Sequence, residues 1–135
     1  MQDEQINKKS YLWPMSFQVD KNEKYTLITL KSEKLDTTVA PSLKSELVVL
    51  NADGVKYLII DMSEVRYCDS SGLSSILIAN RLCKNANGAF VLTGLQEPVK
   101  KLIAISQLDT ILNIATSQKA SIEILFAELA KNMDT

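Results

Sequence analysis

The stretch Leu58-Ile59-Ile60-Asp61, followed eight residues later by Asp69-Ser70-Ser71-Gly72 and then by the apolar-rich run Leu73 to Lys84, decides how this chain is read. Four apolar or terminal residues in a row suit a strand, a short polar connection follows, and Asp-Ser-Ser-Gly suits the start of a helix. A helix start leaves backbone N–H groups without intrahelical partners and carries partial positive charge, so hydroxyls or a phosphate placed there meet ready donors. Any chemistry the chain performs is therefore expected around Ser70 and Ser71.

Working outward, 135 residues suit a single domain with a sizeable core. Hydrophobic residues at 46% and charged residues at 23% are ordinary for a globular chain and argue against disorder. Fifteen Lys and Arg against sixteen Asp and Glu leave a formal charge of -1, too little positive charge for a phosphate backbone, so no nucleic-acid partner is expected. No apolar run approaches the roughly 18 residues that cross a bilayer, and the first sixteen residues lack a secretory apolar core. A cytoplasmic protein without membrane insertion is the expectation.

Histidine is absent, which excludes a Ser-His-Asp triad, a Cys-His pair and any His-containing zinc site. The only cysteines, Cys68 and Cys83, lie on either side of the helix start. Helical rise separates them by roughly 16 to 20 Å, beyond disulfide reach. They read as reduced packing thiols; neither a metal nor a cofactor is expected.

Residues 1–16 are polar, mixed in charge and without period, and read as a loosely ordered arm pinned by Trp13, with the domain proper over 17–135. Phe17 to Val19 and Tyr25 to Leu30 are β-prone runs around a polar spacer, a hairpin. Asp36, Thr37 and Thr38 are cap types ahead of Pro41, predicting a helix to about Asn51 with Val39, Leu43, Leu47 and Leu50 on one face. Tyr57 to Asp61 makes the central strand, Asn87-Gly88 ends the Ser70 helix, and Ala89 to Thr93 makes a fourth strand. A helix follows from Glu97-Pro98, with Val99, Leu102 and Ile103 inward. Ile111 to Ile114 gives a fifth strand, and Ser117 caps a last helix carrying Ile122, Leu125, Phe126 and Leu129. Strands alternating with helices after a hairpin predict one α/β domain, with an about five-stranded mixed sheet and about four helices packed on it.

Between Leu58 and Leu108, the order Leu-Ile-Ile-Asp, Asp-Ser-Ser-Gly-Leu, helix, Gly88 turn and a strand ending in Thr93-Gly94 resembles the STAS domain family, most of all the bacterial anti-sigma factor antagonists. The resemblance extends over nearly all of Phe17 to Leu129. It implies a small five-stranded sheet presenting a serine at the start of the second helix, where an anti-sigma factor that is itself a serine kinase of the GHKL type binds and phosphorylates it, and a serine phosphatase reverses the step. By this resemblance the phosphoacceptor is Ser70, Asp69 matches the family's acidic residue before it, and Leu35-Asp36 matches its Leu-Asp pair. Asp36, Asp69, Ser71 and Gly72 then form the surroundings of the phosphosite. Two positions depart from the pattern. Lys31-Ser32-Glu33-Lys34 lacks a glycine often found before the Leu-Asp pair, and Gln107 stands where glycine is common.

At about 100° per residue, the Ser70 helix places Leu73, Ile76, Leu77 and Cys83 on one side and Ser71, Ser74, Ser75, Ile78 and Leu82 on the other. The second side reads as a docking face for the partner, small enough to let another backbone come close. Ile78 and Leu82 are equally readable as core contacts, Asp69 and Ser70 as a plain helix cap, and Asp36 as a cap of the preceding helix. The leading expectation is a non-enzymatic switch that sequesters the kinase when Ser70 is unmodified and releases it when phosphorylated. A rival keeps the fold but makes the chain a non-phosphorylated subunit or scaffold of a larger assembly, such as a lipid-transport or stress-signalling complex. A serine hydrolase would need a lysine as base, and no oxyanion loop is visible for it. Composition leaves the oligomeric state open.

Overall fold

The computed structural model describes residues 9–13 and 16–133. Six strands form one sheet in the order β1-β2-β3-β5-β7-β8, comprising β1 (Lys9–Trp13), β2 (Phe17–Lys21), β3 (Thr26–Leu30), β5 (Tyr57–Asp61), β7 (Ala89–Thr93) and β8 (Asn113–Ala115). The pairs β1·β2 and β2·β3 are antiparallel; β3, β5, β7 and β8 run parallel. The expected five-stranded mixed sheet is thus present as β2, β3, β5, β7 and β8, with β1 added at its edge. A separate parallel ribbon joins β4 (Lys34–Leu35) to β6 (Tyr67–Cys68). Four helices, α1 (Ala40–Ala52), α2 (Ser70–Asn85), α3 (Glu97–Ile105) and α4 (Gln118–Met133), complete the described residues together with a 3₁₀ turn at Leu108–Thr110.

All five residues of β5 and all five of β7 are buried, which an amphipathic edge strand would not show. The cause is cover on both faces. Leu58 and Ile60 of β5 join Phe90 and Leu92 of β7 on the face packed by α1, α2 and α3, where Leu43, Leu47, Leu50, Ile76, Ala79, Val99 and Ile103 meet them. Tyr57, Ile59, Ala89 and Val91 point the other way, against Leu125, Ile122 and Leu129 of α4. Strand alternation therefore sends each core to its own layer.

Several expectations are corrected here. Lys9–Trp13, read as part of a loose arm, pairs along its whole length with Phe17–Lys21. Its aromatic content is the reason, since Tyr11 and Trp13 suit a strand. The side chain of Trp13, and residues 1–8, 14–15 and 134–135, lie outside the described residues. The helix expected from Asp36 begins only at Ala40, because Val39 N–H and Ala40 N–H both turn back onto the Asp36 carbonyl, and Pro41 fills the first helical turn. The fifth strand starts two residues late: Leu112 N–H is taken by the Leu108 carbonyl of the 3₁₀ turn, which leaves Ile111 49% exposed. Phe126 is 44% exposed, beneath the Lys24 ammonium at 5.8 Å. Gln107 holds φ +61°, a left-handed conformation that explains why glycine would suit this turn.

Candidate functional site

The β4–β6 ribbon builds the site. Its register sets Leu35 beside Cys68, so the chain leaves both strands at the same end, one into Asp36 and the other into Asp69. The Asp69 N–H donates to the Leu35 carbonyl at 3.3 Å, which extends the pairing by one residue. Asp69 then adopts an extended conformation (φ -109°, ψ -171°) and its Oδ1 accepts from the Gly72 N–H at 2.9 Å, the geometry of a helix N-cap. Asp69 and Ser70 open α2 as the sequence suggests.

Ser70, the first helical residue, is exposed; Ser71 is half-buried and Gly72 buried. Gly72 is required by the approach of α2 to the ribbon, since a Cβ there would stand 2.2 Å from the Leu35 carbonyl oxygen and 2.7 Å from Cys68 Sγ. Ser75 is fully buried and donates its hydroxyl to the Gly72 carbonyl at 2.6 Å. The first turn of α2 is thus clamped through Gly72 from both directions, with the Ser70 side chain on its outer surface.

Asp36 does not cap α1. Its Oδ1 accepts from the Thr38 N–H at 3.0 Å and from the Thr38 hydroxyl at 2.6 Å, closing a local turn, while Val39 occupies the N-cap position without a side-chain hydrogen bond. The Thr38 hydroxyl, then the Thr38 N–H and the nearby Lys34 charge, hold the Asp36 carboxyl below its ordinary value of 3.8. Asp36 is anionic at neutral pH.

The docking face expected on α2 is redrawn. Its inner face is Gly72, Ser75, Ile76, Ala79, Asn80 and Cys83. Ser75 therefore belongs to the interior. Ile78 and Leu82 are half-buried and pack on the core, Leu82 alongside Leu47, Leu50 and Leu58. Ser71 and Ser74 remain partly accessible, and the solvent-facing line continues through Leu77, half-buried, to Arg81, exposed. Leu77, on the side the sequence sets opposite the expected docking face, sits outside both core clusters. The cluster around Asp61 is not apparent from the sequence alone; its one signal is that Asp61 and Gly94 sit one step apart in the β5–β7 register.

Both cysteines are free and buried. Burial, with the Asp69 charge adding at Cys68, pushes each thiol up to about 12, so both stay protonated. Among the described residues no cluster of His, Cys, Asp and Glu could hold a metal ion, and no helix is long and apolar enough to cross a membrane. A cleft of about 440 Å³ opens at the far end of the parallel strands, between the β2–β3 turn, Asp53–Lys56 and Leu129. Ser70 lies on the surface, away from this cleft.

The sequence model of the STAS domain matches residues 16–120. This chain belongs to the STAS domain family. Among curated relatives it is 29% identical over 105 residues to the anti-sigma-B factor antagonist of Bacillus subtilis, covering 78% of this chain and 94% of the relative. The fold of this STAS domain is also that of an anti-sigma factor antagonist from Mycobacterium paratuberculosis (TM-score 0.71, 19% identity, 85% of this chain and 98% of that one). It is similar as well to the Bacillus cell fate determinant SpoIIAA in its phosphorylated form (TM-score 0.65, 21% identity, 81% and 99%).

Proposed function

We propose that this STAS domain is an anti-sigma factor antagonist working as a phosphorylation-controlled binding switch in the cytoplasm. Unmodified at Ser70, it sequesters an anti-sigma factor serine kinase of the GHKL type; phosphorylated there, it releases the kinase, and a serine phosphatase restores binding. The chain itself is not an enzyme in this cycle. The observation that carries the reading is the exposed Ser70 hydroxyl at the first position of α2, flanked by Asp69 and set at the same end of the ribbon as Asp36. The relative from Bacillus subtilis that bears the antagonist name supports it.

Phosphorylation would add about -1.5 to -2 charges beside two carboxylates. A partner seated on that surface would face concentrated like charge and an added desolvation cost, and both oppose binding. The fold has little reason to change, because Ser70 lies outside the core while Asp69, Gly72 and Ser75 hold the turn from within. Ser71 and Ser74, with the accessible part of Ile78, form the docking face beside it.

Incubation with the anti-sigma factor kinase of the same cell and ATP adds one phosphate to the wild-type chain and none to Ser70→Ala, read by intact mass. A phosphate found on Ser71 moves the site by one residue. Ser70→Asp weakens kinase binding by about 1.4 to 3 kcal/mol, tenfold or more, in a calorimetric titration. Unchanged affinity would instead favour a constitutive subunit.

A further inference from the structure

Asp61 ends β5 and is 8% exposed, yet its two carboxylate oxygens serve two different connections. Oδ1 accepts from the Ser63 N–H at 2.8 Å, in the loop from β5 to β6; Oδ2 accepts from Gln118 Nε2 at 2.7 Å, at the start of α4. The Ser63 carbonyl in turn accepts from Gln96 Nε2 at 2.6 Å, ahead of α3. Gly94 makes the arrangement possible: it holds φ +77°, and a Cβ there would lie 2.7 Å from Asp61 Oδ1 and 2.9 Å from the Ser63 nitrogen. Two connections at the carboxyl ends of the parallel strands thus meet at one buried carboxylate, and a third joins them through Ser63.

We propose that Asp61 is a positioning residue for the Ser70 site, fixing the β5–β6 connection so that β6 meets β4 in the register that presents Ser70. The proposal rests on the reading of Ser70 as the regulated serine. The physical path is short and continuous. Met62 N–H donates to the Thr93 carbonyl at 2.8 Å, and Val65 N–H closes a turn onto Met62 at 3.0 Å; both side chains are fully buried. Arg66 N–H and Tyr67 N–H then donate to the Glu33 carbonyl at 2.7 and 3.0 Å, and Asp69 N–H to Leu35. From Asp61 to the cap of α2, the segment is held at its beginning by Asp61 and at its end by the β4 strand. Release of the first anchor leaves the Met62 N–H, the contacts to Glu33 and two residue pairs of ribbon to set where α2 begins, with the Ser63 end of the loop unpinned from β5.

The effect depends on hydrogen-bond geometry, not on negative charge. Asn at this position retains an acceptor for the Ser63 N–H, and its amide pairs with Gln118 once the Gln118 amide turns over. Ala leaves both donors without their acceptor. Amide hydrogen exchange on the isolated chain reads the difference without any partner. Asp61→Ala is expected to speed exchange about tenfold or more both at Ser63–Tyr67 and at Ser70–Gly72, where the readout is the Gly72 N–H held by Asp69. Asp61→Asn restores wild-type exchange at both places. Gln118→Ala, at an exposed helix start, gives a weaker form of the Asp61→Ala pattern and serves where Asp61→Ala does not fold. Leu125→Ala, which destabilises the α4 face of the sheet, leaves Ser70–Gly72 no faster than the rest of α2.

Loosening confined to Ser63–Tyr67 with Ser70–Gly72 unchanged would overturn the proposal, as would the same Ser70–Gly72 response in Leu125→Ala. Failure of the switch reading is seen separately, as a wild-type chain that takes up no phosphate from the kinase while its exchange pattern still answers to Asp61.

Discussion

Leu35-Asp36-Thr37-Thr38 and Cys68-Asp69-Ser70-Ser71 are one pattern written twice: a buried residue, an aspartate, two hydroxyls, each leaving one strand of the same ribbon toward a helix. The outcomes differ. Asp69 turns its carboxylate onto Gly72 and α2 begins at once, whereas Asp36 turns onto Thr38 and α1 waits until Ala40. What separates them is the residue three positions after the aspartate. Gly72 lets the helix backbone rest against the Leu35 carbonyl; Val39, 5% exposed, must put its side chain into the core, and the backbone spends a turn delivering it there. Local sequence chose the cap residues, and packing chose which cap is used. The consequence for function is a hydroxyl at the very start of a helix in one copy only.

That difference can be broken at its cause. Gly72→Ala drives a methyl into the Leu35 carbonyl and Cys68 Sγ, and α2 must move off the ribbon. Expected destabilisation is about 3 kcal/mol, at the upper end for overpacking. The thermal midpoint should fall by roughly 10 °C. The opposite change at the matching position, Val39→Ala, removes buried methyls without any clash and should cost about 2 kcal/mol in urea unfolding. If Gly72→Ala were the milder of the two, the close approach of α2 would not be what distinguishes the two helix starts.

A smaller effect sharpens the comparison. Asp69→Ala removes a used cap and should cost about 1 kcal/mol, with faster exchange at Gly72. Asp36→Ala removes a turn that α1 does not depend on, and the helical signal of α1 should be unchanged. Equal loss of helix from the two variants would show that Asp36 caps α1 after all.

The same contrast explains what could be read from sequence. Elements with a clear period, such as α2 and the β2–β3 hairpin, or with an unbroken apolar run, such as β5 and β7, are legible because burial on one or both faces imposes the pattern. A two-residue strand such as Lys34–Leu35 has no period, so the ribbon that places Asp36 and Asp69 was invisible. On α2, a 100° projection fixes which residues share a side but not which side faces inward. Small residues taken for a docking face include Ser75, and smallness at Gly72, Ser75 and Ala79 is what lets α2 press close to its neighbours. Asp69 and Ser70 were legible because capping is a local event, decided within three residues. Asp61 was not, since the partner that ties it to α4, Gln118, lies 57 residues away.

The finest test concerns charge at the unused cap. The Thr38 hydroxyl is the largest cause holding the Asp36 carboxyl below 3.8, so the folded value lies under the unfolded one. A group depressed in this sense contributes stability at pH values above its unfolded pKa, and the contribution is lost as pH falls through the folded value. Thr38→Val deletes the hydroxyl but keeps the N–H, and the carboxyl resonance of Asp36, followed by NMR between neutral and strongly acidic pH, should titrate at a higher pH than in the wild type. Asp36 stays ionised at neutral pH in both, so kinase binding and its sensitivity to Ser70→Asp should not change. A Thr38→Val chain whose Asp36 titrates as before would mean that the turn, not the hydroxyl, holds the carboxylate, and the division of labour between the two aspartates would then rest on backbone geometry alone.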